Sequence, residues 1–283
     1  MFDKSEGLFP VRRDHVDLAT CSIGPMYGPA AEAARGFITA QSERGMLLKE
    51  SYGDALDGFR TNVAALLGVP PMDVGYVSNT AEGIGLIANG YPFKSGDQVV
   101  TYTYEFPSNY LPWQLQARRG VEVIPIPDVA GATLMADGRP RTWALDDLEQ
   151  LLGDRTRVVA LSHVQFASGF AADLAAVGSL CRERGIDLVI DAAQSLGALP
   201  IRPEEHGIAA VVSPAWKWLL ASRGAGVMYT TPGFREKLDL TMVGDATMTH
   251  RLDYLNRRWE PDPGTRRFEY STLPWEHLVS IET

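Results

Sequence analysis

The sequence predicts an α/β fold: a largely parallel sheet covered by helices on both faces. Three observations predict it. Short apolar, β-branched runs of strand length recur at 98–102, 121–126, 157–161, 188–190, 209–212 and 226–229. Segments with helical spacing separate several of them, at 109–119, 145–152 and 173–184. The chain has 283 residues, 45% of them apolar and 22% charged, enough to bury a sizeable core. Strands alternating with helices in this way build a sheet whose faces are both covered.

Taken in order, 27–42 and 54–67 read as helices, the second with Leu56, Phe59, Val63 and Leu67 at helical spacing. A short strand ending at Val77 runs into Ser78-Asn79-Thr80-Ala81-Glu82-Gly83 and a helix. The strand at 98–102 leads through Tyr104-Glu105-Phe106-Pro107-Ser108-Asn109 into the helix at 109–119. The helix at 173–184 is followed by Gly185, a candidate C-cap. This alternation covers about 54–229, with no internal repeat or low-complexity stretch. Beyond Pro232 the character changes. Residues 242–267 are rich in Asp, Arg, Thr and Pro with little period, and read as a long loop or crossover.

Acidic residues outnumber basic ones, 35 to 26, for a net charge of −9. That balance argues against non-specific nucleic-acid binding, which needs a basic surface. No apolar run reaches the ~18 residues of a membrane span, and the N-terminal stretch lacks the apolar core of a secretory signal. Cys21 and Cys181 are too few for a disulfide framework, so a reducing, cytoplasmic setting is expected.

In an open parallel sheet, ligands bind beyond the carboxyl ends of the strands. Four strand ends carry candidate chemistry. After Val77, free backbone N–H groups and the Thr80 hydroxyl open a helix; the stretch reads as an anion site or as a helix capped by Thr80. Asp191 ends a wholly apolar strand and needs a cationic or metal partner, unless it is an N-cap or half of a structural salt bridge. Lys217 lies between Trp216 and Trp218 just after a strand: desolvated it could form a Schiff base, and otherwise it snorkels from the surface. Phe106 stacks on a flat ligand or is simply core. Together the four supply an anion cradle, a flat surface, a buried carboxylate and a reactive lysine, the set that pyridoxal phosphate (PLP) needs.

The order Thr80, Phe106, Asp191, Gln194, Lys217 resembles the class V aminotransferase family of fold-type I PLP enzymes, which includes cysteine desulfurases and isopenicillin-epimerase-like and kynureninase-like proteins. Asp191-Ala192-Ala193-Gln194-Ser195, Lys217 and Arg223-Gly224-Ala225-Gly226 carry the resemblance, with Asn79-Thr80-Ala81-Glu82-Gly83, Asn109-Tyr110-Leu111-Pro112-Trp113 and Arg267-Phe268-Glu269 also similar. It implies roles position by position. Lys217 is the Schiff-base lysine and Asp191 the pyridinium partner; these two are the catalytic candidates. Gln194 donates to the cofactor's phenolic oxygen, Thr80 with the backbone of Ala81 holds the phosphate, Ser213 adds a phosphate contact, and Phe106 stacks on the ring. Thr272 matches a residue that reaches the phosphate of a partner subunit, so a homodimer with its site at the interface is implied. No metal is expected. The implied organisation is an N-terminal segment at 1–50, a PLP-binding large domain at 51–240, and a crossover loop with the start of a small C-terminal domain at 241–283, the rest of that domain being absent.

The chain departs from the desulfurase pattern. Phe106 and Trp216 stand where desulfurases typically carry His, and Gln165-Phe166 where the family often has Asn. No cysteine matches the desulfurase nucleophile. The expectation is a PLP-dependent enzyme acting at the α-carbon of an amino acid or amine. A cysteine desulfurase or C–S lyase is the alternative, and a catalytically impaired family member the second. A nicotinamide dinucleotide enzyme lacks its G-x-G-x-x-G turn.

Overall fold

The computed structural model of the protein describes residues 6–45, 53–128 and 142–283. The strands are β1 (Val74–Val77), β2 (Gln98–Tyr102), β3 (Glu122–Ile126), β4 (Thr156–Ser162), β5 (Asp187–Asp191), β6 (Ala210–Pro214) and β7 (Gly226–Thr230). The helices are α1 (Gly28–Arg44), α2 (Gly53–Leu67), α3 (Thr80–Gly90), α4 (Pro107–Gln114), α5 (Leu145–Glu149), α6 (Leu174–Glu183), α7 (Pro232–Lys237) and α8 (Trp275–Glu282). The strands form one sheet in the order β1-β7-β6-β5-β4-β2-β3. β2 to β6 are mutually parallel, whereas β7 is antiparallel to β6 and β1. The antiparallel return follows from the connection after β6, which carries no helix: a parallel return needs a crossover element.

Alternation along the strands sorts the core onto two faces. In β4, Val159 and Leu161 join a cluster with Phe59 and Leu67 of α2 and Leu180 of α6. Val158 and Ala160 of the same strand join Ile84 and Ile87 of α3, Trp113 of α4 and Phe234 of α7. The sheet is thus buried on both sides, as its apolar runs predict.

The crossovers after β2 and β4 pack on opposite faces, α4 on one and α6 on the other. Neighbouring strands β2 and β4 therefore feed away from each other, and the crevice beyond their carboxyl ends is the topological switch point where such sheets bind ligands.

The helix expected at 109–119 begins at Pro107 and tightens to a 3-10 turn at Leu115–Arg119. Pro112, lacking an N–H, removes one helical bond inside it. The segment expected at 145–152 is α-helical only as far as Glu149. Gly185 follows the C-cap of α6 at φ 66°, as its position in the sequence predicts. Residues 242–267 carry no helix or strand beyond 3-10 turns at Asp245–Thr247 and the start of Thr265–Phe268. Two buried ion pairs fasten the outer segments to the sheet edge: Arg60 to Glu269, whose carboxylate also accepts the Tyr76 N–H, and Arg235 to Asp73, each at 2.6 Å.

Candidate functional site

The carboxyl ends of β2, β4, β5 and β6 and the start of α3 converge on one end of the sheet. α3 reaches it because Gly83 lets the helix lie directly on β6: a Cβ there would stand 2.6 Å from Val212 Cγ1. The helix cap is Asn79, not Thr80; its Oδ1 accepts the Glu82 N–H at 2.9 Å. Asn79 wins because it stands one residue earlier in an extended conformation, so its side chain faces the N3 amide. Thr80 and the exposed Ala81 instead occupy the first two helical positions, whose N–H groups have no partner within the helix. The Glu82 carboxylate folds back onto Ser78 N–H and accepts the Tyr270 hydroxyl at 2.8 Å. The backbone N–H groups left free of the helix ladder at this start, and thus open to an anion, are those of Thr80 and Ala81.

Asp191 closes β5 at 2% exposure. Its Oδ1 accepts the Ala193 N–H at 2.8 Å, a turn contact rather than a helix cap, and it forms no ion pair among the described residues. The salt bridge allowed by the sequence is absent there. Burial raises its pKa to about 7, with the Glu105 charge adding to that and Ala193 and Lys217 opposing it. Ser162, at the end of β4, is its register partner across the parallel ladder, and His163 N–H donates to the Asp191 carbonyl. Burial pulls the His163 imidazole down to about 4, so the ring is neutral.

Lys217 lies in the loop after β6, partly buried, with its Nζ 5.5 Å from the Phe106 ring centroid. Burial lowers its pKa, and Asp191 and Cys21 work against that shift. It is thus a desolvated lysine near a carboxylate, not one snorkelling between the tryptophans. Phe106 caps α4 at 41% exposure, its ring edge-on to Phe166 at 5.2 Å. Phe106 is therefore a wall of the crevice rather than core.

The N-terminal segment closes over the lysine loop. Gly24 N–H donates to Trp216 O and Tyr27 N–H to Leu220 O. Leu220 is held at φ 57°, the left-handed region that side chains rarely occupy. Gln194 joins the same seam: its Nε2 donates to Cys21 O at 2.7 Å, and its Oε1 accepts the Trp218 indole at 3.0 Å. Ser213 is 1% exposed, its hydroxyl directed to the carbonyls of Ala192 and Pro214. Thr272 is exposed in this chain, just before α8.

Glu105 was not among the candidates. It is 6% exposed and gathers four donors at the crevice floor. The signal was present in the sequence: a carboxylate three residues beyond the end of β2, near the strand-end level that Asp191 occupies in β5.

The donors, the aromatic face, the lysine and the carboxylate fit a flat, phosphorylated pyridine aldehyde. Asp191 carries the test of fit: a deeply buried carboxylate with a single backbone donor suits a protonated ring nitrogen. Among the described residues no group of three His, Cys, Asp or Glu could hold a metal, and no helix is long and apolar enough to cross a membrane.

The model of the family described as aminotransferase class-V matches residues 37–282. The chain belongs to this family. A probable cysteine desulfurase of Methanothermobacter thermautotrophicus is 28% identical over 270 residues, 93% of this chain and 64% of that one. A probable hercynylcysteine sulfoxide lyase of Mycobacterium tuberculosis is 31% identical over 232 residues, covering 81% of this chain and 54% of that one. Among solved structures, a C-DES variant with glycine covalently linked to its PLP cofactor superposes with a TM-score of 0.89. It is 21% identical, and the match covers 99% of this chain and 72% of that one. The apo cysteine desulfurase of Thermococcus onnurineus gives 0.83 at 23% identity, covering 98% and 68%. The chain thus spans less than two thirds of the length of the curated relatives, and the solved structures share its fold.

Proposed function

We propose that this class-V family chain holds pyridoxal phosphate and acts at the α-carbon of an amino acid or amine. The single observation that carries the reading is the partly buried Lys217, its Nζ 5.5 Å from the Phe106 ring centroid and within the electrostatic reach of buried Asp191. When bound, the cofactor supplies an electron sink for a carbanion at the substrate α-carbon. The chain's own residues do the rest. Lys217, whose pKa burial lowers, would hold the cofactor through its amine and would serve as the base at the substrate α-carbon. Asp191 holds the proton on the ring nitrogen. Phe106 covers one ring face and keeps water from it. Thr80 and Ala81 hold the phosphate, and Gln194 presents its remaining amide hydrogen to the phenolic oxygen. Ser213 is placed beside the phosphate in this reading. Exposed Thr272 belongs to a homodimer interface at which it reaches the partner subunit's site, and the setting is cytoplasmic.

C–S bond cleavage is the second reading. It is supported by relatives named as desulfurases and a sulfoxide lyase, and by exposed Cys21 beside Lys217 and Gln194. The test is a titration of purified protein with pyridoxal phosphate, then with a panel of amino acids. Visible absorption that Lys217→Ala abolishes supports the main reading. Loss of that band with conversion of the cofactor to its amine form assigns transamination; pyruvate with sulfide or persulfide assigns C–S cleavage. A chain that takes up no cofactor overturns both in favour of a non-catalytic member.

A further inference from the structure

Glu105 follows β2 and enters the crevice from the β2 side of the switch point. Its Oε1 accepts Ser162 N–H and Gln165 Nε2, both at 2.8 Å. Its Oε2 accepts Asn109 Nδ2 at 3.3 Å and the Ser162 hydroxyl. The Asn109 amide orientation is fixed by its other end. Asn109 Oδ1 takes the Trp113 indole, so its nitrogen faces Glu105. Gln165 gives Nε2 to Glu105 and leaves its own Oε1 buried without a partner. Burial raises the Glu105 pKa, and the four converging donors from Ser162, Gln165 and Asn109 oppose that shift by favouring the ionised carboxylate. No Lys, Arg or His among the described residues pairs with it. Ser162, which it grips twice, stands opposite Asp191 in the β4–β5 ladder. Two buried carboxylates therefore lie at strand ends of the crevice floor, near enough for the Glu105 charge to raise the Asp191 pKa while Lys217 opposes it.

We propose that Glu105 is a positioning residue for the candidate cofactor site, acting on a bound pyridine ring through its neighbour Asp191. A second negative charge beside Asp191 strengthens that carboxyl's hold on a proton shared with the ring nitrogen. The same carboxylate fastens the turn bearing Phe106 to the end of β4. This inference rests on the pyridoxal phosphate reading.

The experiment compares binding of pyridoxal phosphate with that of its 1-deaza analogue, in which a CH replaces the ring nitrogen. The wild-type chain and the variants Glu105→Gln, Glu105→Asp and Ser162→Ala are each titrated by fluorescence. Expected is a wild-type preference for pyridoxal phosphate that falls about tenfold in Glu105→Gln, the equivalent of one pKa unit of interaction. Glu105→Asp, which keeps the charge, restores most of the preference. Ser162→Ala keeps its backbone ladder and removes one donor; it lowers the preference in the same direction by less, and carries the test should the Glu105 variants fail to fold. Equal weakening toward both cofactors, or an unchanged preference in Glu105→Gln and Ser162→Ala, overturns the proposal and leaves the cofactor reading standing. A wild-type chain that binds neither compound overturns both.

Discussion

Lys217 Nζ lies 5.5 Å from the centroid of the Phe106 ring, within the ~6 Å over which a cation and an aromatic face attract. The two residues come from loops after different strands, β6 and β2, whose carboxyl ends the parallel sheet brings to one end. The ring is half open to the crevice and backed edge-on by Phe166.

Phe106→Ala should remove the stacking face while leaving Lys217 in place. The expected loss is about 1 kcal/mol of cofactor binding, roughly fivefold in affinity. Phe106→His keeps a flat ring and should bind close to wild type. A fluorescence titration with pyridoxal phosphate measures both; equal weakening in the two variants would mean that Phe106 acts through packing instead.

Asp191 predicts a pH dependence in the cofactor-free chain. Its pKa stands at about 7 against an ordinary 3.8, so the folded state holds the proton more tightly than the unfolded. The associated stability is full below about 4 and is lost as pH rises through 7. Asp191→Asn removes a carboxylate that is costly to ionise and keeps the acceptor for Ala193. It should be more stable than wild type at pH 8 by about 2–4 kcal/mol, with the gap closing toward pH 4. Urea unfolding across that range reads it directly, and a gap independent of pH would contradict the buried, unpaired carboxyl.

Gly83→Ala puts a methyl 2.6 Å from Val212 Cγ1 at the α3–β6 contact. Overpacking of this kind costs about 1–3 kcal/mol. Because the displaced helix carries Thr80 and Ala81, cofactor affinity should fall with the melting temperature. Gly85→Ala on the same helix, where a Cβ meets nothing within 4 Å, is the control and should leave affinity unchanged.

The two cysteines should react very differently. Cys21 is exposed, whereas Cys181 is fully buried in α6 with its thiol pushed up to about 12 by burial and the Asp187 charge. Iodoacetamide should modify Cys21 alone in the native chain, and Cys181 only in denaturant. If C–S cleavage proceeds through a protein thiol, Cys21→Ser abolishes sulfur release; persistence of release in that variant leaves direct lysis of the substrate.

Much of this was legible in the residues themselves. The apolar runs located β2 to β7 to within a residue or two, because strands in a sheet covered on both faces are largely apolar. Lys217, Asp191 and Phe106 were recognisable because each is a chemically costly or conspicuous residue just beyond a strand. Local sequence could not decide the reversal of β7, which follows from the lack of a crossover helix, nor which residue caps α3, where Asn79 and Thr80 are both competent. Tertiary structure alone decided what surrounds each group. Among the described residues it left Asp191 without an ion pair, set Lys217 against Phe106, tied Gln194 to Cys21 and Trp218, and assembled four donors around Glu105 from α4 and from the end of β4. Sequence determines which side chains can do chemistry because that is a property of one residue and its immediate period. Partners, burial and proton affinity depend on residues more than fifty positions apart, such as Glu105 and Ser162, and only the sheet brings them together.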